Sequence, residues 1–438
     1  MAALCRSGLK VGAAKVGPDY IDPGYHRLAT GHPSRNLDCF LAPEPLIASL
    51  AARAGDGRDL LVIEGVMGLF DGAQPSPGQV DDGAAGLPVA STAAVAFLTA
   101  SPVVLVVDAS AMSQSVAAVV HGFASWSADV PLAGVVLNRV ASDSHEEGLR
   151  LALAPLGVPV LGVLRRESAF AWRDRHLGLV PVAERPAEIR AALVRLAAAV
   201  TAGLDLPALV RLASTAPVLP TSPLPVAVRP AELARPPRIA VAAGPAFSFV
   251  YPDNLERLAE AGAELADFDP VNDPALPAGT DALYAGGGFP EVYAEGLSEN
   301  VPLRREVAAA VSSGLPTWAE CGGLLWLSSS LDHLPLCGAI KARGSMTASL
   351  TLGYRTASVR RENPVAAAGS VLRGHEFHYS ALTPAGTALR LSGRSGVRQE
   401  GYANSSLFGT YLHLHLGAEV TPAERFVAAA ASRAAVRT

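Results

Sequence analysis

Short unbroken apolar runs recur along this chain at residues 60–63, 103–107, 134–137 and 159–163, and again at 238–243, 264–268 and 282–285, separated by Ala-rich stretches of helical character. Runs of Val, Ile and Leu without polar alternation read as strands buried on both faces, and helices between them make the crossovers of parallel sheets. Both halves of the chain are therefore expected to be α/β. Between the halves the pattern lapses. Residues 206–237 hold Pro207, Pro217, Pro220, Pro223, Pro225, Pro230, Pro236 and Pro237 without strong periodicity, which predicts an extended connector. The organisation read from this is a domain over 1–205, a linker over 206–237 and a second domain over 238–438. The longest apolar stretch, 93–107, is broken by Thr99, Ser101 and Pro102 and runs into Asp108, so it reads as a helix end followed by a buried strand and not as a membrane span.

Composition narrows the partners. Half of the 438 residues are apolar, enough for deep cores in two or three domains. Only 17% are charged and the net charge is −5, which excludes the electrostatic footprint of a nucleic-acid binder. The four cysteines, Cys5, Cys39, Cys321 and Cys337, show no paired spacing, so neither a disulfide framework nor a metal knuckle is predicted. A reducing, cytoplasmic compartment fits that usage.

The second half concentrates one kind of chemistry. In Ala319-Glu320-Cys321-Gly322-Gly323 a cysteine sits on a tight turn between an apolar run and a helix-like segment. Such an elbow lifts a side chain clear of its neighbours, and the start of a helix favours thiolate over thiol. Downstream, Gly409-Thr410-Tyr411-Leu412-His413-Leu414-His415 alternates like a strand and carries two imidazoles. A neutral imidazole within reach of the thiol would complete a Cys-His pair able to form and hydrolyse a thioester. Upstream, Gly286-Gly287-Gly288-Phe289-Pro290-Glu291 follows a predicted strand, and the N–H groups of Gly287 and Gly288 can face a developing oxyanion. A packed cysteine or a plain turn explains each piece alone; the three in this order point to amide hydrolysis.

The first half offers carboxylates. Asp19 and Asp22 lie three apart in Lys15-Val16-Gly17-Pro18-Asp19-Tyr20-Ile21-Asp22-Pro23-Gly24, read as a loop stiffened by its prolines, for which a solvated turn is the bland alternative. Residues 60–72 form a predicted strand ending in Glu64 and then a Gly-rich loop with Asp71. A carboxylate at the carboxyl end of a parallel strand sits where ligands bind in this architecture, and a buried one requires a cation. Hard oxygen ligands of this kind suit Mg²⁺ bridging nucleotide phosphates.

In the second half these residues resemble the class I glutamine amidotransferase domain, a flavodoxin-like α/β fold, in the variant ending in a Tyr-x-His stretch. Taken with 15–24, 64–72, 134–140, 175–179, 353–355 and 374–380, nearly the whole chain is similar to the cobyrinic acid a,c-diamide synthases. That resemblance implies a P-loop-NTPase-like, dethiobiotin-synthetase-like parallel sheet domain, which uses ATP to amidate carboxylates of a corrin ring with ammonia from glutamine. It makes Cys321 the nucleophile and His413 the activating base, with His415 less favoured and the third triad member unassigned. Mg²⁺ is expected on Asp19 and Glu64, with Asp22 and Asp71 orienting metal or substrate. Asn138 matches the residue that contacts adenine; a strand-end Asx-turn is its alternative. Expected partners are small molecules alone (corrin carboxylic acid, glutamine and ATP), with no nucleic acid and no membrane; a homodimer stays open.

Two departures stand out. Members of the family begin with a strand and a Gly-rich phosphate loop, whereas this chain opens with Met1-Ala2-Ala3-Leu4-Cys5-Arg6-Ser7-Gly8, similar only to the end of the helix that follows that loop. The expectation is that Met1 is an internal methionine, that a strand slot is left open in the sheet, and that a chain starting here would bind ATP poorly. In Gly244-Pro245-Ala246-Phe247-Ser248-Phe249 relatives carry an aspartate before the Ala-Phe, and Asp253 is expected to cap the next helix. A sister enzyme such as cobyric acid synthase and a protein that only hydrolyses glutamine remain as alternatives.

Overall fold

The computed structural model describes residues 1–73, 83–167, 174–175, 178–230 and 235–436, and the chain forms two compact units, the first lying within Met1–Pro223 and the second made of Leu224–Thr438 together with the short segment Phe40–Ala42. In the first unit β1 (Val11–Val16), β2 (Arg35–Leu37) and β3 (Leu60–Glu64) make a parallel sheet in the order β2-β1-β3, with Lys15 in register with Glu64. Helix α1 (Ile21–Thr30) leaves β1, and α2 (Glu44–Gly55) links β2 to β3. A second parallel sheet follows the order β4 (Val103–Asp108), β5 (Leu132–Val140), β6 (Val160–Arg165).

Two strands read as buried are not. Among the described residues β3 pairs with β1 alone and β4 with β5 alone, so each leaves one edge unpaired. No residue of β3 is fully buried, and Val106 in β4 is 61% exposed. By contrast every residue of β1, which has neighbours on both sides, is buried. The predicted connector also begins otherwise. After α3 (Pro186–Gly203), helix α4 (Leu206–Ala213) occupies its first residues, because Asp205 accepts from the Ala208 N–H at 2.8 Å and Pro207 sits in the first turn, where its missing N–H costs nothing. Residues 176 and 177 of the 175–179 stretch lie outside the described residues.

The second unit is built on a six-stranded sheet. Its parallel part runs β8 (Glu264–Phe268), β7 (Arg238–Ala242), β9 (Ala282–Ala285), β10 (Thr317–Glu320) and β14 (Leu407–Thr410), and β13 (Tyr402–Asn404) closes the edge antiparallel. Around it α5 (Pro252–Glu260), α6 (Gly322–Leu327) and α7 (Thr421–Val436) bury Trp318, Trp326, Tyr284, Phe408 and Phe426. Burial at roughly 25 cal/mol per Å² makes such side chains the main source of rigidity around β10. A second, mostly antiparallel sheet is formed by the long strands β11 (Arg343–Val359) and β12 (Val371–Thr383), with β15 (His413–Leu414) against β12. The stretch predicted as one alternating strand therefore divides: Thr410 ends one sheet, and His413 belongs to the other.

Candidate active site

The backbone turns at Cys321 with φ 47° and ψ −99°, a conformation that costs a non-glycine residue of order 1–3 kcal/mol. Its surroundings hold it there. The Cys321 N–H donates to the Thr410 carbonyl at 2.8 Å, its carbonyl accepts from the Leu325 N–H at 3.0 Å, and the Gly323 N–H donates to the Gly286 carbonyl at 2.8 Å. Glycine is required beside it, since a Cβ on Gly323 would stand 2.1 Å from the Ala285 oxygen.

His413, 1% exposed, is hydrogen-bonded to the Cys321 side chain, and its Nδ1 lies 3.7 Å from Glu320 Oε2. Burial opposes charge on this ring, but the negative groups at Cys321 and Glu320 outweigh it and push its pKa up to about 10. Glu320 Oε1 accepts from the Leu414 N–H at 3.2 Å. Burial drives this carboxyl upward while the charged ring of His413 works against that. Glu320 is the carboxylate that the fold places beside His413, at a position the sequence leaves unassigned. The signal was present: a carboxylate closing a strand whose other three residues are Thr, Trp and Ala.

Two expectations change here. The Gly287 N–H, expected at the oxyanion, donates to the Phe249 carbonyl at 3.0 Å. Gly287 instead packs on the imidazole, where a Cβ would come within 2.5 Å of His413 Cε1. Gly288 lies nearer the elbow, its nitrogen 3.1 Å from where a Cβ on Gly322 would be. Asp253 is not the N-cap residue: Tyr251 holds that position of α5 without a side-chain bond, and Asp253 Oδ2 lies 3.7 Å from His415 Nε2. His415 thus belongs with Asp253 and with Tyr251, whose ring meets it edge-on at 4.8 Å.

In the other unit the acidic residues gather at the ends of β1 and β3. Asp19 and Asp22 are not in one loop: Asp22 is on the first turn of α1, and Asp19 Oδ1 accepts from the Ile21 and Asp22 N–H groups at 2.7 and 3.1 Å. Lys15, 4% exposed, contacts Asp22 Oδ2 at 2.7 Å and Glu64 Oε1 at 3.2 Å, and donates to the Gly65 carbonyl at 2.9 Å. His26 Nε2 is bonded to Glu64 Oε2, and its Nδ1 to Ser34 Oγ at 2.9 Å. Despite desolvation, the His26 bond and the Lys15 charge hold Glu64 down at about 2. Burial and then Asp22 push Asp19 up to about 6. Lys15 and His26 were missed as site residues, although Asp22 and His26 are four apart on one helix face.

The two outlying candidates make local bonds. Asp71 Oδ2 accepts from the Gly68 N–H at 2.9 Å, closing a turn. Asn138 Oδ1 accepts from the Arg139 N–H at 2.9 Å, at the end of β5. Among the described residues no three His, Cys, Asp or Glu side chains form a ready metal cage, and no helix is long and apolar enough to cross a membrane.

Comparison with known proteins agrees with both units. Residues 1–179 match the CobQ/CobB/MinD/ParA nucleotide binding domain, and residues 238–420 match the CobB/CobQ-like glutamine amidotransferase domain. Over 98% of this chain and 92% of the relative, the sequence is 48% identical to a hydrogenobyrinate a,c-diamide synthase of Streptomyces coelicolor. It is 45% identical to one of Thermobifida fusca, over 99% and 93%. A cobyrinate a,c-diamide synthase of Synechocystis is 41% identical over 98% of this chain and 89% of its own length. The chain belongs to the cobyrinate and hydrogenobyrinate a,c-diamide synthase family, a family of glutamine-dependent, amide-forming ligases.

Proposed function

We propose that this chain converts the a and c side-chain carboxylates of cobyrinic or hydrogenobyrinic acid to amides, with nitrogen from glutamine and energy from ATP. What carries the reading is the Cys321–His413–Glu320 arrangement at an elbow, in a chain whose near-full-length relatives bear that name. Residues 238–438 form the glutaminase part, 1–205 the synthetase part, and 206–237 connect them.

The Cys321 thiolate attacks the side-chain amide carbon of glutamine, and the N–H groups of Gly288 and Gly322 face the oxyanion that forms. The His413 imidazolium gives its proton to the leaving nitrogen, and ammonia departs. The ring, neutral again, takes a proton from water, whose oxygen opens the thioester and releases glutamate. Glu320 keeps the tautomer and the orientation.

At the synthetase site a carboxylate of the corrin is a poor acyl donor, so ATP phosphorylates it and ammonia displaces phosphate from the acyl phosphate. The donors are hard carboxylate oxygens of the kind a divalent cation takes, Asp19 beside Asp22, with Glu64 engaged by Lys15 and His26. Mg²⁺ would be held by Asp19 and Glu64 and would neutralise phosphate charge. Lys15 holds Asp22 and Glu64 in place, Asp71 orients metal or substrate, and Asn138 contacts the adenine. The free cysteines support a reducing, cytoplasmic setting.

The test is to incubate purified protein with ATP, glutamine and a panel of corrinoid acids and to weigh the products. Two amidations of cobyrinic or hydrogenobyrinic acid are expected. Amidation of other arms would make it a sister enzyme, and glutamine hydrolysis without ligation would leave a glutaminase.

A further inference from the structure

The base is gripped by more than its acid. His375 on β12 stands opposite His413 on β15 in register, and the rings stack with centroids 4.9 Å apart and planes at 20°. Gly287 closes on Cε1 and Nε2 of the same ring. His375 is 3% exposed, with its Nδ1 3.5 Å from the Tyr251 hydroxyl.

We propose that His375 is a positioning residue for glutamine hydrolysis, its flat ring fixing the plane of the His413 imidazole between thiol and carboxylate. The proposal rests on the thiol–imidazole reading of the site. An imidazole can rotate about its side-chain bonds, and a base swung out of plane loses the line to sulfur and to carboxylate together. A flat partner on one face and a bare glycine at the edge leave one orientation. A β-branched or aliphatic residue at 375 would fill the space without defining a plane.

The electrostatics agree with that division of labour. Burial, then the charges of His413 and His415, drive the His375 pKa well below the ordinary histidine range, so the proton of the stacked pair resides on His413. The charged and titratable groups facing the pair are Cys321, Glu320, His415, Tyr251 and, through His415, Asp253. Cys321 and Glu320 favour the charged form of His413.

The experiment compares wild type, His375→Phe and His375→Ala for glutaminase kcat and KM against pH, for the pH dependence of Cys321 alkylation by iodoacetamide, and for thermal melting. Phe keeps a flat face, whereas Ala removes it. With Phe, kcat is expected within about threefold of wild type; with Ala it should fall roughly tenfold to a hundredfold at unchanged KM, with the acidic limb of alkylation moved upward. Equal kcat and alkylation profiles in Ala and wild type would overturn the proposal, as would a folded Phe variant as impaired as Ala. Failure of the underlying reading looks different: Cys321 in wild type would show no enhanced alkylation at neutral pH.

Discussion

Glu320 and Glu64 occupy equivalent places, each the last residue of a parallel strand, in different units. Their electrostatics are opposite. Glu320 closes a strand with neighbours on both sides, is 1% exposed, and has its carboxyl pushed upward by burial. Glu64 closes a strand paired on one side only, its side chain is 46% exposed, and the bond from His26 and the charge of Lys15 outweigh desolvation and hold it at about 2. The number of flanking strands sets how much water reaches a strand-end carboxylate, and the cations facing it set its charge. The enclosed one suits the task of holding a base. The open one, firmly ionised, keeps a full negative charge at the solvent-facing end of β3.

The sharpest way to separate the regions is Cys321→Ala. Glutamine hydrolysis should drop by roughly 10⁴-fold or more, as expected when a covalent nucleophile is lost. Ammonia-driven amidation, followed by product mass, should persist within about twofold of wild type by the same logic. Equal loss with both nitrogen sources would mean that the two chemistries do not divide between the units.

Next come the paired carboxylates themselves. Glu320→Gln should lower glutaminase kcat by roughly 10²–10³-fold with KM little changed, because a wrongly oriented imidazole fails as a base. Glu64→Gln should spare glutaminase within about twofold while cutting ATP-dependent amidation by at least about tenfold, by the electrostatic role assigned to it. Parallel assays of glutamate release and amide formation read both, and an exchange of the two phenotypes would reverse the comparison. A smaller effect is expected for Gly287→Ala, whose Cβ would press within 2.5 Å of His413 Cε1. Glutaminase should fall about tenfold, with a lowered melting temperature from about 1–3 kcal/mol of overpacking.

How far the sequence discloses these regions follows from the range of the interactions involved. Cys321 and its glycines are legible because an elbow is a local event: turn, nucleophile and helix start are contiguous. Gly287 is misread because its N–H is committed to Phe249, a pairing that only the folded loop creates. β1 escapes notice since Val11-Gly12-Ala13-Ala14 is weak in β-formers, yet Gly12 is dictated by packing: a Cβ there would lie 2.4 Å from the Ala54 oxygen. The hairpin of β11 and β12 is hidden by exposed apolar positions such as Leu352 and Val371, which blur its alternation. Helix α4 is obscured by proline counting, which ignores that Pro207 falls where a helix tolerates it.

The last and smallest effect sharpens the electrostatic contrast through stability. Glu64 titrates lower in the fold than when unfolded, so its contribution is present above the ordinary carboxylate range and is lost as pH falls toward about 2. Its exposure screens that contribution to a minor one. Glu400 is the enclosed counterpart: buried, beside Glu376, and bonded to the Thr410 hydroxyl and the Tyr411 N–H, it is pushed up to about 7 by burial and then by Glu376. A carboxyl raised in the fold stabilises below its unfolded value and loses that contribution as pH rises through about 7. Wild type should therefore melt a few degrees lower at about pH 8 than at about pH 5, and Glu400→Gln should reduce the difference, leaving the part that His413 contributes above its unfolded value. Glu64→Gln should leave that limb intact and alter only the acid side. Melting curves of the two variants across pH decide it: a fall in stability between the ordinary carboxylate range and about pH 7 that is undiminished in Glu400→Gln would show that enclosure by itself does not set the charge of this carboxylate, whereas a further fall toward about pH 10 belongs to His413.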